Sequence, residues 1–488
     1  MNYFMDSERK KKLDELKRDG VEPYAYSFKR THYADEIAAN YDKLEGKRVR
    51  VAGRLTQIRS FGKLAFAHLQ DDSGKIQVVA RTDKTDAKSF ALFMRLDAGD
   101  FIGGEGVVTK TKKGEKSVEL ASVQLLAKSL RVPPEKFHGL QETELRYRKR
   151  YLDLMVNPEV REIFRARAKI VSEIRRFLDE RGFVEVETPI LQPVYGGAAA
   201  KPFTTVHNFF KKKLFLRVAD ELYLKRLIVG GFERVYEIGK DFRNEGVDSM
   251  HNPEFTQLEF YQAYADYEEI AGETEELLGA IAKRVWGSLE GKYGGKPLSF
   301  KPPFKRVHLA KAIKEKIGVD ILAWRSDAEA AAAAKKLGLD VAIKTRQHVV
   351  DALFAEHVQP ALWQPTFVFD YPDYMCPLAK KKRGEPILRE RFELFIAGKE
   401  CGNCYSELND PLDQRTKLEE QAKERAAGDG EASFLMHDED FLEALEHGMP
   451  PLGGIGIGVD RLAMIFTDQS SIKEVILFPS MKPLDADA

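Results

Sequence analysis

The sequence is poor in cysteine, with only Cys376, Cys401 and Cys404 among its 488 residues. So sparse and odd a set argues against a disulfide framework and indicates a reducing compartment. Cys401 and Cys404 form a single C-x-x-C pair, but no two further zinc ligands stand near them at matching spacing. We therefore expect buried thiols rather than a metal or redox site.

Long apolar segments and the common phosphate-binding loops are also absent. No apolar run reaches the roughly 18 residues that a membrane-spanning helix needs, and the N-terminus lacks the apolar core of a signal peptide. The sequence contains neither a G-x-x-x-x-G-K-[ST] loop nor the glycine fingerprint of dinucleotide-binding folds. We predict a cytoplasmic protein without a membrane segment, which binds any nucleotide in another way.

An excess of charge of either sign is missing as well. Lysine and arginine together number 77, and aspartate and glutamate also number 77. A nucleic-acid partner would therefore have to bind through a local basic patch, because the whole chain offers phosphates no net attraction.

Short alternating strands separated by turn residues run from about residue 49 to 128, after a short basic helix near residues 5–19. About five such strands favour a small barrel of the OB-fold type. Six basic residues and no acidic one lie within residues 46–70, with Phe61 and Phe66 among them. This pattern is typical of a face that binds unstacked bases, but an ordinary strand pair with core phenylalanines explains it equally well.

The chain divides into residues 1–130 with the leading helix and the barrel, a charged linker over 131–150, and a larger second domain over 151–488. An amphipathic helix opens the second domain at Pro158 and ends before Gly182. Strands dominate from there to about residue 265, and a mixed insertion follows over about 266–365. Further strands, a helix near 411–426 and a final strand–helix unit complete the predicted domain.

Polar and acidic side chains alternate along strands that should lie inside this large domain. Alternation places Gln257, Glu259 and Tyr261 on one strand face, and Asn403, Tyr405 and Glu407 on another. Buried carboxylates are costly unless a partner pairs them, so the pattern favours a ligand site over a solvated sheet face.

A third strand alternates glycine with isoleucine over Gly453–Gly458, before Arg461. One face of this strand therefore has no side chains. Such a face suits a flat ligand lying against backbone, or tight packing against a neighbouring helix, and the glycines alone do not decide between the two.

These segments resemble, in order, the three signature motifs of class II aminoacyl-tRNA synthetases. The matching segments are Arg181–Pro189 for motif 1, Phe242–Glu245 with the strand from Phe255 for motif 2, and Gly454–Arg461 for motif 3. Four more segments resemble the lysine-type members, namely Arg146–Leu154, Gly196–Phe203, His251–Phe255 and Gly402–Asp410. The chain is thus similar over essentially its whole length to class II lysyl-tRNA synthetases. The resemblance implies an α+β fold, with an N-terminal OB-fold anticodon-binding barrel and a catalytic domain of antiparallel sheet flanked by helices.

The resemblance also implies an activity and its residues. The implied activity is activation of L-lysine with ATP and its transfer to tRNA(Lys), by a homodimer that uses Mg²⁺. The implied catalytic residue is Arg243, which bridges the ATP α-phosphate and the lysine carboxylate. The other implied ATP-binding residues are Glu245, His251, Asn252, Phe255, Glu393, Glu400 and Arg461, of which Glu393 and Glu400 bind the metal. The implied lysine-binding residues are Gly197, Glu221, Arg243, Glu259, Tyr261, Asn403, Tyr405 and Glu407. The implied anticodon contacts are Arg59, Phe66 and Gln77.

Lysine chemistry agrees with these positions, because the substrate carries two ammonium groups and Glu221, Glu259 and Glu407 offer anionic partners. We expect these carboxylates to meet the substrate rather than a protein cation. A site built for the ε-ammonium can reject analogues without it by about 10⁴-fold, so we expect no editing domain.

Some positions depart from the family pattern. Asp220 replaces a common proline before Glu221, Met250 stands where many bacterial relatives carry arginine, Tyr405 replaces phenylalanine, and Cys404 replaces glycine. None of these changes removes a catalytic group, although the Met250 position leaves contacts with the ATP tail open.

Three alternatives remain. A paralogue that attaches lysine to a protein would lack the anticodon barrel. An aspartate or asparagine enzyme of the same subclass would need arginine at Glu407. A non-catalytic lysine sensor would have lost Arg243, Glu393 or Arg461.

Overall fold

The computed structural model describes residues 5–134, 142–198, 200–339, 341, 345–428 (backbone only over 421–428) and 438–484. The chain separates into two compact units, Met1–Gln141 and Glu142–Ala488. Ala199 of the predicted Gly196–Phe203 segment and part of the predicted linker lie outside the described residues. No helix in the described part of the chain is long and apolar enough to cross a membrane.

The first unit is a barrel preceded by helices. Its elements are α1 (Ser7–Arg18), α2 (Ala34–Ala39), α3 (Tyr41–Leu44), β1 (Arg48–Ser60), β2 (Leu64–Gln70), β3 (Lys75–Arg81), α4 (Ala87–Phe93), β4 (Phe101–Lys110) and β5 (Lys116–Ala127). Asp6 caps α1, because its side chain accepts hydrogen bonds from the backbone amides of Glu8 and Arg9. The described strands close into a barrel in the order β1-β2-β3-β5-β4. Buried and partly exposed residues alternate along β2, so its inward side chains fill the barrel core.

The second unit combines one large sheet with helices. Its first half contains α5 (Thr143–Arg148), α6 (Arg150–Val156), α7 (Pro158–Asp179), β6 (Val184–Glu185), β7 (Leu191–Gln192), β8 (Thr204–His207), β9 (Lys212–Leu216), α8 (Glu221–Val229), β10 (Arg234–Phe242), β11 (Glu254–Ala263), α9 (Tyr267–Trp286), β12 (Glu290–Tyr293) and β13 (Lys296–Ser299). Its second half contains β14 (Lys305–His308), α10 (Leu309–Ile317), α11 (Asp327–Lys336), α12 (Arg346–His357), β15 (Thr366–Pro372), β16 (Lys381–Lys382), β17 (Glu385–Ile396), β18 (Lys399–Ser406), α13 (Pro411–Gly428), α14 (Glu439–Glu446), β19 (Leu452–Gly458), α15 (Val459–Phe466) and α16 (Ile472–Val475). Short 3₁₀ turns lie at Ile321–Ala323, Gln359–Ala361 and Asp373–Met375.

The main sheet has nine strands in the described residues, in the order β14-β15-β17-β18-β19-β11-β10-β6, with β16 beside β17. Its neighbours are antiparallel except for β14 with β15 and β10 with β6. The apolar face carries Leu258 and Phe260 from β11 and Ile455 and Ile457 from β19, and these residues share one core with α7, α9 and α15. The opposite face carries the polar residues of the same strands. The predicted α+β class, with a barrel and a helix-flanked antiparallel sheet, is confirmed.

The structure differs from the sequence-based expectation at three places. Within the predicted linker over 131–150, residues from Thr143 onward are helical and belong to the second unit. The predicted insertion over 266–365 is narrower, because α9 packs in the main core and β14 is a strand of the main sheet. Finally, α8 interrupts a region that we expected to be mainly strands. Local spacing could not show these results, since packing between distant segments decides them.

Candidate active site

The polar face of the main sheet brings together side chains from β11, β19 and β18. Strand register sets Glu259 opposite Gly456, and Gly456 opposite Asn403. Glu259 accepts hydrogen bonds from the Gln257 amide at 2.7 Å and from the Tyr261 hydroxyl at 2.9 Å. On β18 the Asn403 amide donates to the Tyr405 hydroxyl at 2.8 Å. The structure therefore contains the predicted polar faces of β11 and β18, and these two strands lie on either side of the glycine strand β19.

Side chains from neighbouring strands cover the bare face of the glycine strand. A Cβ atom at Gly454 would collide with the Tyr261 ring and would lie 2.8 Å from a Glu407 oxygen. A Cβ at Gly456 would lie 2.7 Å from the Gln257 amide nitrogen. Gly453, on the other face, packs against Ile270 of α9. The alternating glycines thus make room for the polar side chains of the site, while helix packing explains Gly453.

Lys225 is a protein cation inside the predicted lysine pocket. Its ammonium nitrogen lies 2.6 Å from Glu221 and 2.5 Å from Glu407, and all three side chains are buried. Our expectation that these carboxylates meet the substrate rather than a protein cation is wrong for Glu221 and Glu407. When both carboxylates are ionised, two carboxylates and one ammonium leave one negative charge, so the group can attract a further cation. The Glu221–Lys225 spacing of four residues on a helix could have revealed the pair.

Burial dominates the acid–base behaviour of the pocket. It raises the pKa of Glu407 to about 8, against the opposing effect of the Lys225 charge and with an added rise from Glu221. Burial and the Glu221 charge also raise the pKa of Glu259 to about 8. A cation that enters this pocket would favour the ionised form of both glutamates.

Gly197 lies directly against the pocket. It adopts a φ of +87°, and a Cβ there would lie 3.1 Å from the Ala219 Cβ and 3.4 Å from the Glu221 Cβ. Any other residue would be strained and crowded at this position. This geometry keeps backbone close to the first turn of α8.

Arg391 connects two groups of predicted residues, and sequence reasoning missed it. Its guanidinium forms an ion pair with Glu393, donates to Asn403 at 3.0 Å and lies 4.3 Å from the centre of the Tyr371 ring. The Tyr371 hydroxyl donates to Glu393 at 2.8 Å. Burial raises the pKa of Glu393 to about 7, although Arg391 lowers it, and Glu400 adds to the rise. Arg391 and Glu393 alternate on β17 as the other polar strand residues do, which is the signal that could have revealed Arg391.

Arg243 follows β10 at the edge of the polar face. Its guanidinium carbon lies 5.1 Å from the centre of the Phe255 ring. Its buried Nε atom has no hydrogen-bond partner among the residues that the structure describes. A guanidinium that lies over an aromatic ring and has an unused N–H donor can bind a phosphate or a carboxylate.

Three further predicted nucleotide-binding residues lie together beside β18. Arg461 donates to the Glu400 backbone carbonyl at 2.7 Å, and one of its terminal nitrogens lies 3.3 Å from His251 Nε2. The side chain of Glu400 is 45% exposed, so it remains accessible to a ligand. His251 also contacts Asp248 at 2.9 Å.

Two other predicted nucleotide-binding residues have different surroundings. The buried Asn252 uses its amide on backbone, donating to the Glu254 carbonyl at 2.6 Å and accepting from the Ser480 amide at 3.0 Å. Glu245 lies exposed in the loop after β10. Asn252 therefore shapes the loop, whereas Glu245 is open to a ligand.

The predicted anticodon residues lie on neighbouring strands of the barrel. Register pairs Arg59 with Phe66, and Gln77 with His68, so the three strands present these side chains outward. The Phe66 ring meets Phe61 edge to face at 6.3 Å between centroids. The Gln77 amide donates to Glu115 at 2.6 Å and its carbonyl accepts from Ser117 at 2.8 Å. Gln77 would have to exchange one of these bonds to contact a base.

The three cysteines are free and buried, and burial was predicted for Cys401 and Cys404. Burial raises the pKa of the Cys401 thiol to about 12, so it stays protonated and inert at neutral pH.

Comparisons with known proteins agree with this arrangement. Residues 142–482 match the family described as tRNA synthetases class II (D, K and N), and residues 49–132 match the OB-fold nucleic acid binding domain. A protein of Carboxydothermus hydrogenoformans is 54% identical over 478 residues, covering 98% of each chain. A protein of Roseiflexus castenholzii is 52% identical over 486 residues, covering 98% of this chain and 99% of its own. A protein of Clostridium novyi is 50% identical over 481 residues, covering 98% of this chain and 94% of its own. All three relatives are named lysine–tRNA ligase.

The barrel, the nine-stranded sheet and the ordered segments on its polar face define a class II tRNA synthetase of the aspartate, lysine and asparagine group. Within that class, the chain belongs to the lysine–tRNA ligase family, because the similarity to its members extends over nearly the whole length of both chains.

Proposed function

We propose that this chain activates L-lysine with ATP and transfers the lysyl group to tRNA(Lys). One observation carries the proposal: among the described residues, Lys225 is the ammonium paired with Glu221 and Glu407 in a pocket that also contains Glu259, and this pocket lies in a chain of the lysine–tRNA ligase family. Aspartate carries a second negative charge, which this pocket would repel, and asparagine carries no second ammonium. The aspartate and asparagine alternatives therefore fit the site less well.

In the pocket, the two ammonium groups of lysine meet the carboxylates that Lys225 leaves uncompensated. Gly197, Tyr261, Asn403 and Tyr405 complete the proposed lysine contacts. A substrate without the ε-ammonium would leave buried carboxylate unpaired, which disfavours its binding.

Arg243 is the proposed catalytic residue. A lysine carboxylate oxygen attacks the α-phosphorus of ATP and forms a new O–P bond. The bond from that phosphorus to the α,β-bridging oxygen breaks, and pyrophosphate leaves with the electron pair. The Arg243 fork can hold carboxylate and phosphate together, and it offsets the negative charge that gathers during attack.

The remaining proposed nucleotide contacts come from residues that lie near Arg243 or beside β18. We propose that Phe255 and Arg461 enclose the adenine between a ring and a guanidinium plane. Glu245, His251 and Asn252 belong to the same proposed ATP site, with Asn252 acting through the loop that it shapes.

Mg²⁺ fits Glu393 and Glu400. Both offer hard carboxylate oxygens, and the charge of the partly exposed Glu400 adds to the raised pKa of the buried Glu393. A divalent cation would oppose this effect. When bound, the metal would neutralise charge on the ATP phosphates, while Arg391 holds Glu393 in place.

The barrel is the proposed anticodon reader, with Phe66 stacking on a base, Gln77 hydrogen-bonding a base edge and Arg59 also contacting an anticodon base. We further propose that the chain forms a homodimer and acts in the cytoplasm. The protein-lysylating alternative is disfavoured by the barrel, and the sensor alternative by the presence of Arg243, Glu393 and Arg461.

ATP–pyrophosphate exchange with each of the twenty amino acids tests the activation step. We expect exchange with lysine alone, and charging of tRNA(Lys) but not of tRNA(Asp) or tRNA(Asn). Exchange with no amino acid would favour the sensor. Exchange with lysine but charging of no tRNA would favour the protein-lysylating paralogue.

A further inference from the structure

Asp220 is a buried carboxylate at the start of α8. Asp220 as a whole is only 1% exposed to solvent. No nitrogen donor of the described residues reaches either of its oxygens, and its one side-chain hydrogen-bond contact is with the neighbouring Glu259 carboxyl.

Two more buried carboxylates face Asp220. Oxygen atoms of Asp220, Asp241 and Glu259 all lie within 4.8 Å of one another. Asp241 on β10 is 0% exposed and Glu259 on β11 is 4% exposed. Burial raises the pKa of Asp220 well above its ordinary value, and the charges of Glu259 and Asp241 raise it further. Three carboxylates from three separate elements thus converge on one point.

The protein cations around this point do not balance the charge. Arg217 lies 3.1 Å from Asp241 and 2.6 Å from Glu237. Its guanidinium occupies the space over Gly239, where a Cβ would collide with it, and its Nε also donates to the Lys240 carbonyl at 3.0 Å. Arg217 is therefore hydrogen-bonded on the Asp241 and Glu237 side, while the Asp220 charge still raises the pKa of its guanidinium.

The facing charges can be counted. The carboxylates are Asp220, Asp241, Glu259 and Glu237. The cations that act on the group are Arg217 and Arg243. With all four carboxylates ionised, as a bound cation would favour, four negative and two positive groups leave two negative charges in a desolvated volume, apart from the neighbouring Glu221, Lys225 and Glu407. Charge buried in this way requires a partner.

We propose that Asp220, Asp241 and Glu259 bind a divalent metal cation, at a site separate from Glu393 and Glu400. Oxygen ligands at about 2.0–2.6 Å from a central Mg²⁺, Mn²⁺ or Ca²⁺ lie within about 5 Å of one another, which this cluster satisfies. A dication would also match the two uncompensated charges. The site shares Glu259 with the proposed lysine pocket, but it needs neither ATP nor lysine, so it goes beyond the proposed function.

Mn²⁺ binding to the full chain, without nucleotide or lysine, tests the proposal. Free Mn²⁺ is measured by electron paramagnetic resonance during titration at pH 7.5. We expect Asp220→Asn to lose one Mn²⁺ or to bind it at least ten-fold more weakly. Glu393→Gln is the matched control, because it removes one carboxylate from the other metal site and should retain the Asp220 site.

Thermal unfolding shows whether the variant is folded and supplies a second measurement. In EDTA we expect Asp220→Asn to melt at or above the wild-type temperature, because the amide removes an unpaired buried carboxylate. Added Mn²⁺ should raise the melting temperature of the wild type and of Glu393→Gln, but not that of Asp220→Asn, since a ligand that binds only the folded state stabilises it.

Two outcomes would overturn the proposal. One is nucleotide-free Mn²⁺ binding that is absent from the wild type or unchanged by Asp220→Asn. The other is a wild-type melting temperature that Mn²⁺ does not change but that falls as pH rises. In this outcome the melting temperature of Asp220→Asn would not fall with pH. A proton shared between Asp220 and Glu259 would then balance the charge instead. Neither outcome depends on lysine activation, so the proposed function stands or fails separately.

Discussion

At the scale of single residues, the amino-acid pocket depends on where each buried charge finds its partner. Lys225 balances one of the two carboxylates beside it, and the remaining negative charge is available to a substrate ammonium. Burial raises the pKa of Glu407, although Lys225 opposes this, and it also raises the pKa of Glu259. A substrate ammonium that enters the pocket would favour the ionised form of both. Substrate charge and pocket charge are therefore coupled.

This coupling predicts a pH dependence for lysine. The pKa of Glu407 is raised to about 8, so below that pH its carboxyl is more often protonated and attracts a substrate ammonium less strongly. The KM for lysine should fall as pH rises from 6.5 to 8.5, by at most about ten-fold per pH unit, because one carboxyl group titrates. Exchange kinetics at saturating ATP measure this change. Glu407→Gln should flatten the profile, and the KM for ATP should not follow it. A lysine KM that rises over this range would contradict the assignment of Glu407.

Arg243 should be needed for adenylate formation but not for folding. Arg243→Ala removes the guanidinium that we place between carboxylate and phosphate, so lysine-dependent exchange should fall by at least about 10²-fold. Circular dichroism and elution volume should match those of the wild type. Arg284→Ala, an exposed arginine on α9, is the control and should retain exchange. Exchange retained in Arg243→Ala would refute its role.

At the scale of elements, α8 joins the pocket to the core. Leu224 and Ile228 anchor one side of the helix in an apolar cluster, while Glu221 and Lys225 point together toward Glu407 on the sheet. The four-residue spacing on this helix brings Glu221 and Lys225 together as a buried ion pair. Lys225 also pairs with Glu407, which lies more than 180 residues further along the chain.

Lys225→Met should show how strongly this helix depends on its internal cation. The change leaves Glu221 and Glu407 buried without their ammonium, and breaking a buried ion pair costs about 3 kcal/mol or more. Urea denaturation should report a loss of that order in the free energy of unfolding. Lys311→Met, an exposed lysine on α10, should change it by less than about 0.5 kcal/mol. Equal stability of both variants would mean that the glutamates are neutral in the folded protein.

At the scale of the whole molecule, two compact units hold separate tasks. The barrel has its own apolar core, and the catalytic unit has several clusters of its own. The proposed chemistry lies entirely in the second unit, whereas Arg59, Phe66 and Gln77 lie in the first. Activation of lysine and selection of tRNA should therefore respond to different substitutions.

Phe66→Ala tests this separation. Removing a ring that stacks on a base costs about 1–3 kcal/mol, so kcat/KM for tRNA charging should fall by about ten-fold. Lysine-dependent ATP–pyrophosphate exchange should stay unchanged. Tyr26→Ala, a fully exposed aromatic in the same unit, is the control and should affect neither assay. A parallel loss of exchange and charging would show that Phe66 supports the structure instead of binding RNA.

Much of this molecule was predictable because local patterns carry the information. Period-two alternation of polar and apolar residues predicted the faces of β11 and β18, and the helical stripe after Pro158 predicted α7. Strand spacing with turn residues predicted the barrel. Motif order then predicted the family, which the comparisons confirm.

The sequence by itself determined the family, the two-part architecture and the residue types that suit a doubly cationic substrate. Only the tertiary structure decided which charges meet. It placed Lys225 between Glu221 and Glu407, Arg391 between Glu393 and Asn403, and Asp220 beside Asp241 and Glu259. Periodicity fixes the face on which a side chain lies, whereas the partner of a buried charge depends on the register and packing of segments far apart in the chain.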